Sequence, residues 1–388
     1  MRTIPRIPLA AAGFGTLLMV VGLVQAQVPG SRELPPEPPP ANASGVGDTG
    51  QPATEQPLPA TEQPFPWFNG EMPLRAVEPN PASAGRTCPW AHRCSLYGEF
   101  LYVRPRNAEV AYAVPIDGGI VPPPIVPVQA GPVATTDPAY GPAFRVGFWW
   151  ALDESTSLGA SYTRLEGRTE SVTSVAAPLV LRSLVFHPGT ANAGSDFLDA
   201  SATADIDLHL VNVDYRAVWK HGDLWAINYR LGAGYAGLEQ QFHAVYSGTG
   251  TVDRLDTSIG FDGAGPRIGL DAERHACNCG LLLYARGTAD FLVGEFRGRY
   301  TQSSDVDPVI VDTAWKAGRI VPVLDLEIGT GWQSYCGHYR FTAGYFVSVW
   351  CNSVTTNQWI PAVQNDSFVG LGDVMTFDGF TARFEYRF

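Results

Sequence analysis

The last nine residues, FTARFEYRF (Phe380 to Phe388), alternate without a break. In an extended chain Phe380, Ala382, Phe384, Tyr386 and Phe388 share one face, while Thr381, Arg383, Glu385 and Arg387 share the other. A soluble sandwich would turn the apolar face toward a protein core. This chain, however, opens on an export signal and repeats the same alternation many times. Together these features predict an outer-membrane β-barrel with its apolar face toward lipid and its charged face toward the lumen.

Met1 to Ala26 has basic residues at Arg2 and Arg6, a mostly apolar stretch from Leu9 to Val24, and compact residues ahead of Gln27. That pattern predicts a secretory signal (1–26) cleaved between Ala26 and Gln27. From Gln27 to Arg86 prolines crowd together in LPPEPPP (Leu34 to Pro40), and PATEQP occurs twice, at Pro52 and Pro59. Such a segment has too little apolar surface to offset its ordering entropy. It reads as a disordered spacer (27–86) on the periplasmic side, ahead of a barrel domain (87–388).

From Ser95 onward, period-2 alternation marks ten segments. They run Ser95 to Arg104, Gly141 to Ala151, Ser157 to Leu165, Ile206 to Trp219, Leu224 to Gly237, Phe261 to Ala272, Leu281 to Phe291, Ile320 to Gln333, Tyr339 to Trp350 and Phe377 to Phe388. Most are long enough to cross a bilayer as tilted strands. The connections alternate short and long. The short ones are Asp153 to Thr156, Lys220 to Asp223, His275 to Gly280 and Ser334 to Gly337. The long ones are Pro105 to Tyr140, Glu166 to Asp205, Leu238 to Gly260, Val293 to Arg319 and Cys351 to Thr376. This predicts an all-β, antiparallel, up-and-down barrel of about ten strands, with twelve as the alternative if a hairpin lies around Val172 to Val185. An even strand number puts the N-terminal tail and the C-terminus on the same, periplasmic side.

Parity assigns the faces, since a charge on the lipid side near the midplane costs about 2–4 kcal/mol. The inward, pore-lining set is Arg145, Asp214, Arg216, Arg230, Arg267, Asp271, Arg286, Asp290, Asp325, Glu327, Arg340, Arg383, Glu385 and Arg387, with Asn228 among them. Outward neighbours such as Phe148, Val213, Leu231, Ile268, Leu283, Leu326 and Phe384 form a lipid-compatible belt. Trp219, Trp225, Trp332, Tyr386 and Phe388 make an aromatic girdle at the periplasmic side. Two uses of such a lumen remain open: ion pairs that seal it, or a narrow water-filled pore whose charges set selectivity.

The segments GEFLYVRPR (Gly98 to Arg106), GPRIGLDAE (Gly265 to Glu273), ARGTADFLVGEF (Ala285 to Phe296), VPVLDLEIGTGW (Val321 to Trp332) and the closing nonapeptide resemble the Legionella-type major outer membrane protein family of pore-forming barrels, also widespread among planctomycete-like bacteria. The resemblance spans Ser95 to Phe388. It implies a barrel in outer-membrane lipid with a pore or surface role and no catalytic residues. The C-terminal strand would be the element read by the barrel-assembly machinery, and a homo-oligomer is left open.

Lys and Arg total 26 against 38 Asp and Glu, a net charge of −12, which argues against a nucleic-acid partner. The six cysteines suggest disulfides in an oxidising compartment, Cys88 with Cys94 and Cys336 with Cys277 or Cys279, leaving Cys351, at the far end of a strand, free or matched across chains. The spacing of these cysteines fits no standard zinc site, and no cofactor motif is present. His187, Asp196, Asp199, His209 and His243 show no spacing that implies an acid–base grouping, so the chain reads as a non-enzyme. The leading function is a narrow channel for small hydrophilic solutes or ions; the alternative is a closed structural or adhesive barrel acting through its loops.

Overall fold

The computed structural model describes residues 91–117, 128–248, 250–276 and 280–388. The expected signal with Ala26 and Gln27, the proline-rich spacer, and Cys88, Cys277 and Cys279 lie outside the described residues. The strands are β1 (Ser95–Arg106), β2 (Val110–Asp117), β3 (Ala134–Thr136), β4 (Gly141–Ala151), β5 (Thr156–Ser174), β6 (Leu179–Ser183), β7 (Phe197–His221), β8 (Trp225–Gly248), β9 (Val252–His275), β10 (Leu281–Ser304), β11 (Val311–Gln333), β12 (Tyr339–Ser353) and β13 (Asp373–Arg387). An α-helix, α1 (Thr356–Gln364), sits between the last two strands.

Ten of these strands close a ring in the order β1-β4-β5-β7-β8-β9-β10-β11-β12-β13, each antiparallel to its neighbours. Closure joins the first strand to the last, with Glu99 opposite Arg383 and Leu101 opposite Thr381. No described helix is long and apolar enough to cross a membrane. A closed strand ring is the other way a backbone can satisfy its hydrogen bonds in hydrocarbon.

Period 2 decides which side chains meet lipid. On the outer wall an apolar band runs through Val211, Val213, Tyr215 and Trp219 on β7, and through Ile320, Leu324, Leu326, Ile328 and Trp332 on β11. At about 3.3 Å per residue and a tilt near 40°, these stretches rise roughly 20–30 Å, the height of a hydrocarbon core. Trp150, Trp219, Trp225, Trp332, Tyr339 and Tyr386 lie exposed where the short turns connect the strands. That rim is called the turn end below, and the opposite rim the loop end.

The strands do not stop at the top of the band. Two stretches expected to be long loops, Leu238 to Gly260 and Val293 to Arg319, are mostly strand: β8 and β9 continue to a tip at Gly250, and β10 and β11 to a connection at 305–310. Much of the expected Glu166 to Asp205 loop is likewise strand in β5 and β7. The physical reason is an inversion of polarity. Outward positions become Glu239, Asp262, Glu295, Arg297 and Lys316, while inward positions become Phe242, Tyr246, Phe261, Phe296 and Tyr300. Below this level the wall is apolar outside and charged inside, as lipid requires. Above it the wall is charged outside and apolar inside, as water requires.

The apolar interior of the upper ring is filled by the chain itself. β2, β3 and β6 form a small sheet hanging from β7, through Leu181 opposite Phe197, and do not enlarge the ring; it stays at ten strands rather than twelve. Tyr112, Leu181, Val185 and Phe186 from this insert pack with Phe197, Tyr246 and Tyr300 of the wall. Helix α1 contributes fully buried Trp359 and Ile360, and Trp359 Nε1 donates to Thr257 Oγ1 of β9 at 2.9 Å. Gln364 Nε2 donates to the carbonyls of Leu184 and Phe186 at 2.8 and 2.9 Å, tying the helix to the insert.

Candidate functional site: the lumen of the barrel

All fourteen residues singled out by parity lie on the inner wall, within the height of the apolar band. Glu99 and Glu273 share that wall and complete the set, although the sequence reading did not single them out. Their inward parity was readable: Tyr97, Glu99 and Leu101 in β1, and Asp271 and Glu273 in β9, alternate inward. With them the lumen holds eight arginines (145, 216, 230, 267, 286, 340, 383, 387) and eight carboxylates (99, 214, 271, 273, 290, 325, 327, 385). A neutral balance of this kind is what a low-dielectric interior demands.

The pairing is dense. Arg383 places Nε and Nη2 at 2.8 and 2.6 Å from Glu99 Oε2, bridging the seam between β1 and β13. Arg145 Nη1 lies 3.3 Å from Glu99 and 3.9 Å from Glu327, and Arg286 donates to Glu327 at 3.1 Å. Arg267 is surrounded by three carboxylates, Asp290 at 2.5 Å and Asp214 and Asp325 each at 3.5 Å, and also donates to Thr288. Arg230 meets Asp271 at 2.6 Å, Arg340 forms a two-pronged pair with Glu273 at 2.8 and 2.9 Å, and Arg387 donates to Glu385 at 2.8 Å. Arg216 stacks over Trp149 at 4.4 Å and donates to Ser157 at 3.3 Å.

Aromatic rings fill the space between these pairs. Arg383 lies over Tyr97 at 4.2 Å and Arg286 over Tyr284 at 4.6 Å. Tyr284 fits because Gly329 and Gly344 face each other in register. A Cβ on either would lie 2.8 or 2.6 Å from its hydroxyl. Among the described residues the cavities between these groups are small. A cavity of about 40 Å³ lies among Arg145, Arg230, Arg267, Arg286, Arg383 and Phe346, and one of about 20 Å³ lies under the apolar core beside Leu101, Leu165 and Phe377. At roughly 10–15 Å³ per water, the larger admits about three molecules. Among the described residues, then, the lumen is occupied at two levels, by ion pairs within the band and by an apolar core above it.

Outside the lumen, Asp378 is an outward-facing carboxylate at the top of the band, which the sequence reading missed. It accepts from Arg106 at 2.5 and 3.1 Å, from Tyr140 at 3.3 Å and from Tyr345. The histidines considered as catalytic candidates are dispersed on the outer wall and in the insert. His209 pairs with Tyr162 and Asp207, His243 with Asp256, and the His187 backbone N–H donates to Gln302. Cys94, Cys336 and Cys351 carry free thiols; the partners expected for the first two lie outside the described residues. Among the described residues no group of three or more His, Cys, Asp or Glu is placed to hold a metal ion.

The fold and its inward charges define a ten-stranded outer-membrane β-barrel. The chain belongs to the family described as Legionella pneumophila major outer membrane protein precursor, whose sequence pattern matches residues 89–381. No curated protein matches it. Among solved structures it is similar to the outer membrane protease OmpT from Escherichia coli, with a TM-score of 0.42 and 10% identity over 77% of this chain and 97% of that one. It is also similar to a Pseudomonas aeruginosa FadL homologue (TM-score 0.24, 9% identity, 76% and 90% of the two chains). A third similarity is to the Ralstonia pickettii toluene transporter TbuX (TM-score 0.24, 10% identity, 80% and 94%).

Proposed function

We propose that the protein is a sealed outer-membrane barrel that anchors and presents a rigid structure above the membrane, and that it does not conduct in the state described. The observation carrying this reading is the double filling of the lumen: balanced, hydrogen-bonded ion pairs within the band, and above them an apolar core containing α1 and the β2–β6 insert. An open selectivity wall would need charges facing water. Here each guanidinium faces a carboxylate or an aromatic ring.

In this reading the turn end faces the periplasm, both ends of the barrel domain lie on that side, and β13 with its terminal Phe388 is the strand offered to the barrel-assembly machinery. The charged outer wall from Glu295 to Arg299 and the tips at Val172, Val306 and Val369 face outward from the cell, where a surface or adhesive role would be exercised. The narrow pore suggested by the sequence is the second reading, favoured by the arginine-rich cavity at mid-height. It requires α1 and the insert to leave the upper ring.

Liposome swelling separates the two. Vesicles carrying the folded barrel should shrink in hyperosmotic arabinose and stay shrunken, as protein-free vesicles do. Re-swelling at a rate proportional to protein content would refute the sealed reading.

A further inference from the structure

The chain approaches β1 from within the mouth of the barrel rather than from its rim. His92 is 9% exposed, although it precedes the first strand. Its backbone N–H donates to the carbonyl of Glu154, in the turn joining β4 to β5, at 2.8 Å. Its Nε2 lies 3.2 Å from Asn228 Oδ1 on the inner face of β8, which is not a neighbour of β1 in the ring. Arg93 Nη1 donates to the carbonyl of Cys336, in the turn joining β11 to β12, at 3.3 Å. Three contacts made by two consecutive residues therefore reach three separate places around the turn-end rim. Beneath them lies a polar cavity of about 20 Å³ lined by Arg216, Asn228, Glu273, Glu385 and Arg387.

We propose that Ala91 to Arg93 form a strap, separable from the barrel wall, that closes the turn-end mouth and shields a polar vestibule beneath it. Two features make it separable. It belongs to no strand of the ring, so lifting it breaks no ladder hydrogen bond. It is also held by hydrogen bonds to Glu154, Asn228 and Cys336, and among the described residues no ion pair joins it to the charges beneath. The His92 ring suits the place as a neutral group, since burial and the nearby Arg216 push its pKa down to about 4. A protonated imidazole would add charge beside an arginine that has no carboxylate within pairing distance among the described contacts.

The strap is the third closure of the barrel and the one the chain can withdraw without unfolding. A pull on the segment that precedes it would expose a vestibule lined by two arginines and two carboxylates, a surface suited to small zwitterionic or polar solutes. Withdrawal alone would open no path across the membrane, because the ion pairs and the apolar core above remain.

The test uses Ser157, fully buried beside Arg216. Ser157→Cys is introduced in the mature chain with its native cysteines replaced by serine, and labelled with a small charged methanethiosulfonate in detergent. Labelling should be slow with the strap intact. It should become roughly 25-fold faster with His92→Gly and Arg93→Gly together, at about a factor of five for each of the two side-chain hydrogen bonds lost, the backbone bond to Glu154 being kept. Asn228→Ala, which removes one wall contact and leaves the strap sequence unchanged, should accelerate it about 5-fold. Val172→Cys, exposed at the loop end, controls for reagent, and circular dichroism for folding. Equal Ser157→Cys rates in all folded variants would overturn the proposal, since the wall itself would then close the mouth. Liposome swelling stays negative in either case, so failure here is distinguishable from failure of the sealed-barrel reading.

Discussion

Neutralising Glu99 should cost this barrel more than any surface charge. Its side chain is fully buried and holds two guanidinia, Arg383 across the β1–β13 seam and Arg145 from β4. At the effective dielectric of a partly buried site, a pair at these distances is worth about 4 kcal/mol of attraction, set against the desolvation of both ions. Glu99→Gln keeps the shape and one acceptor but leaves two buried arginines without their shared counter-charge. The expected loss is therefore about 3–5 kcal/mol. Arg383→Gln alone should lose a similar amount, but the double substitution should lose less than the sum by at least about 2 kcal/mol, because two facing amides satisfy each other across the seam. The assay is reversible urea unfolding in lipid vesicles followed by tryptophan fluorescence, with all four corners of the cycle measured. A single-substitution cost below about 1 kcal/mol, or strict additivity, would refute the reasoning. It would mean that water already screens the pair, and hence that the lumen is wet.

Two further outcomes follow from the inversion of polarity along the strands. Leu326→Arg, outward at mid-height of the apolar band of β11, should destabilise by about 2–4 kcal/mol in vesicles, whereas Glu295→Arg, outward on the neighbouring strand β10 above the band, should change stability by less than about 1 kcal/mol; the same urea titration checks both. Asp253, above the band at the β8–β9 tip, is fully buried, accepts one hydrogen bond from Asn192 at 2.7 Å, and has its pKa raised, chiefly by burial. A carboxyl whose pKa is raised in the fold favours folding in its protonated form and opposes it as pH rises past the unfolded value near 3.9. Asp253→Asn should therefore raise the urea midpoint at pH 7, with the gain shrinking as pH falls toward about 4; a gain independent of pH would contradict the assignment.

The lower half of the barrel was legible in the sequence because lipid imposes one rule on every strand. In FTARFEYRF and VPVLDLEIGTGW the apolar face is outward and each charge inward, so parity alone placed Arg383, Glu385, Asp325 and Glu327. The upper half was not legible by that rule. In β10 the outward series passes from Phe291 and Val293 to Glu295, Arg297 and Arg299, while Phe296 and Tyr300 turn inward. The period is unchanged but the sign reverses, so a search for apolar-outward strands ended at Phe291. Helix α1 was hidden because nine residues containing Pro361 and β-branched Thr356 and Ile360 give little helical signal; its stability comes from burying Trp359 and Ile360. The state of the lumen also could not be read from parity. Opposite charges on one wall are compatible with pairing or with open water, and parity carries no information on the distances between particular partners.

The most direct measurement is planar-bilayer conductance of the mature chain beside a variant with residues 354–371 replaced by a short glycine–serine linker, which removes α1 and Trp359 from the upper core. The sealed lumen predicts a silent bilayer for the intact protein and, at most, brief small openings in the variant, since the ion pairs of the band remain. Discrete, sustained openings from the intact, correctly folded protein would contradict it.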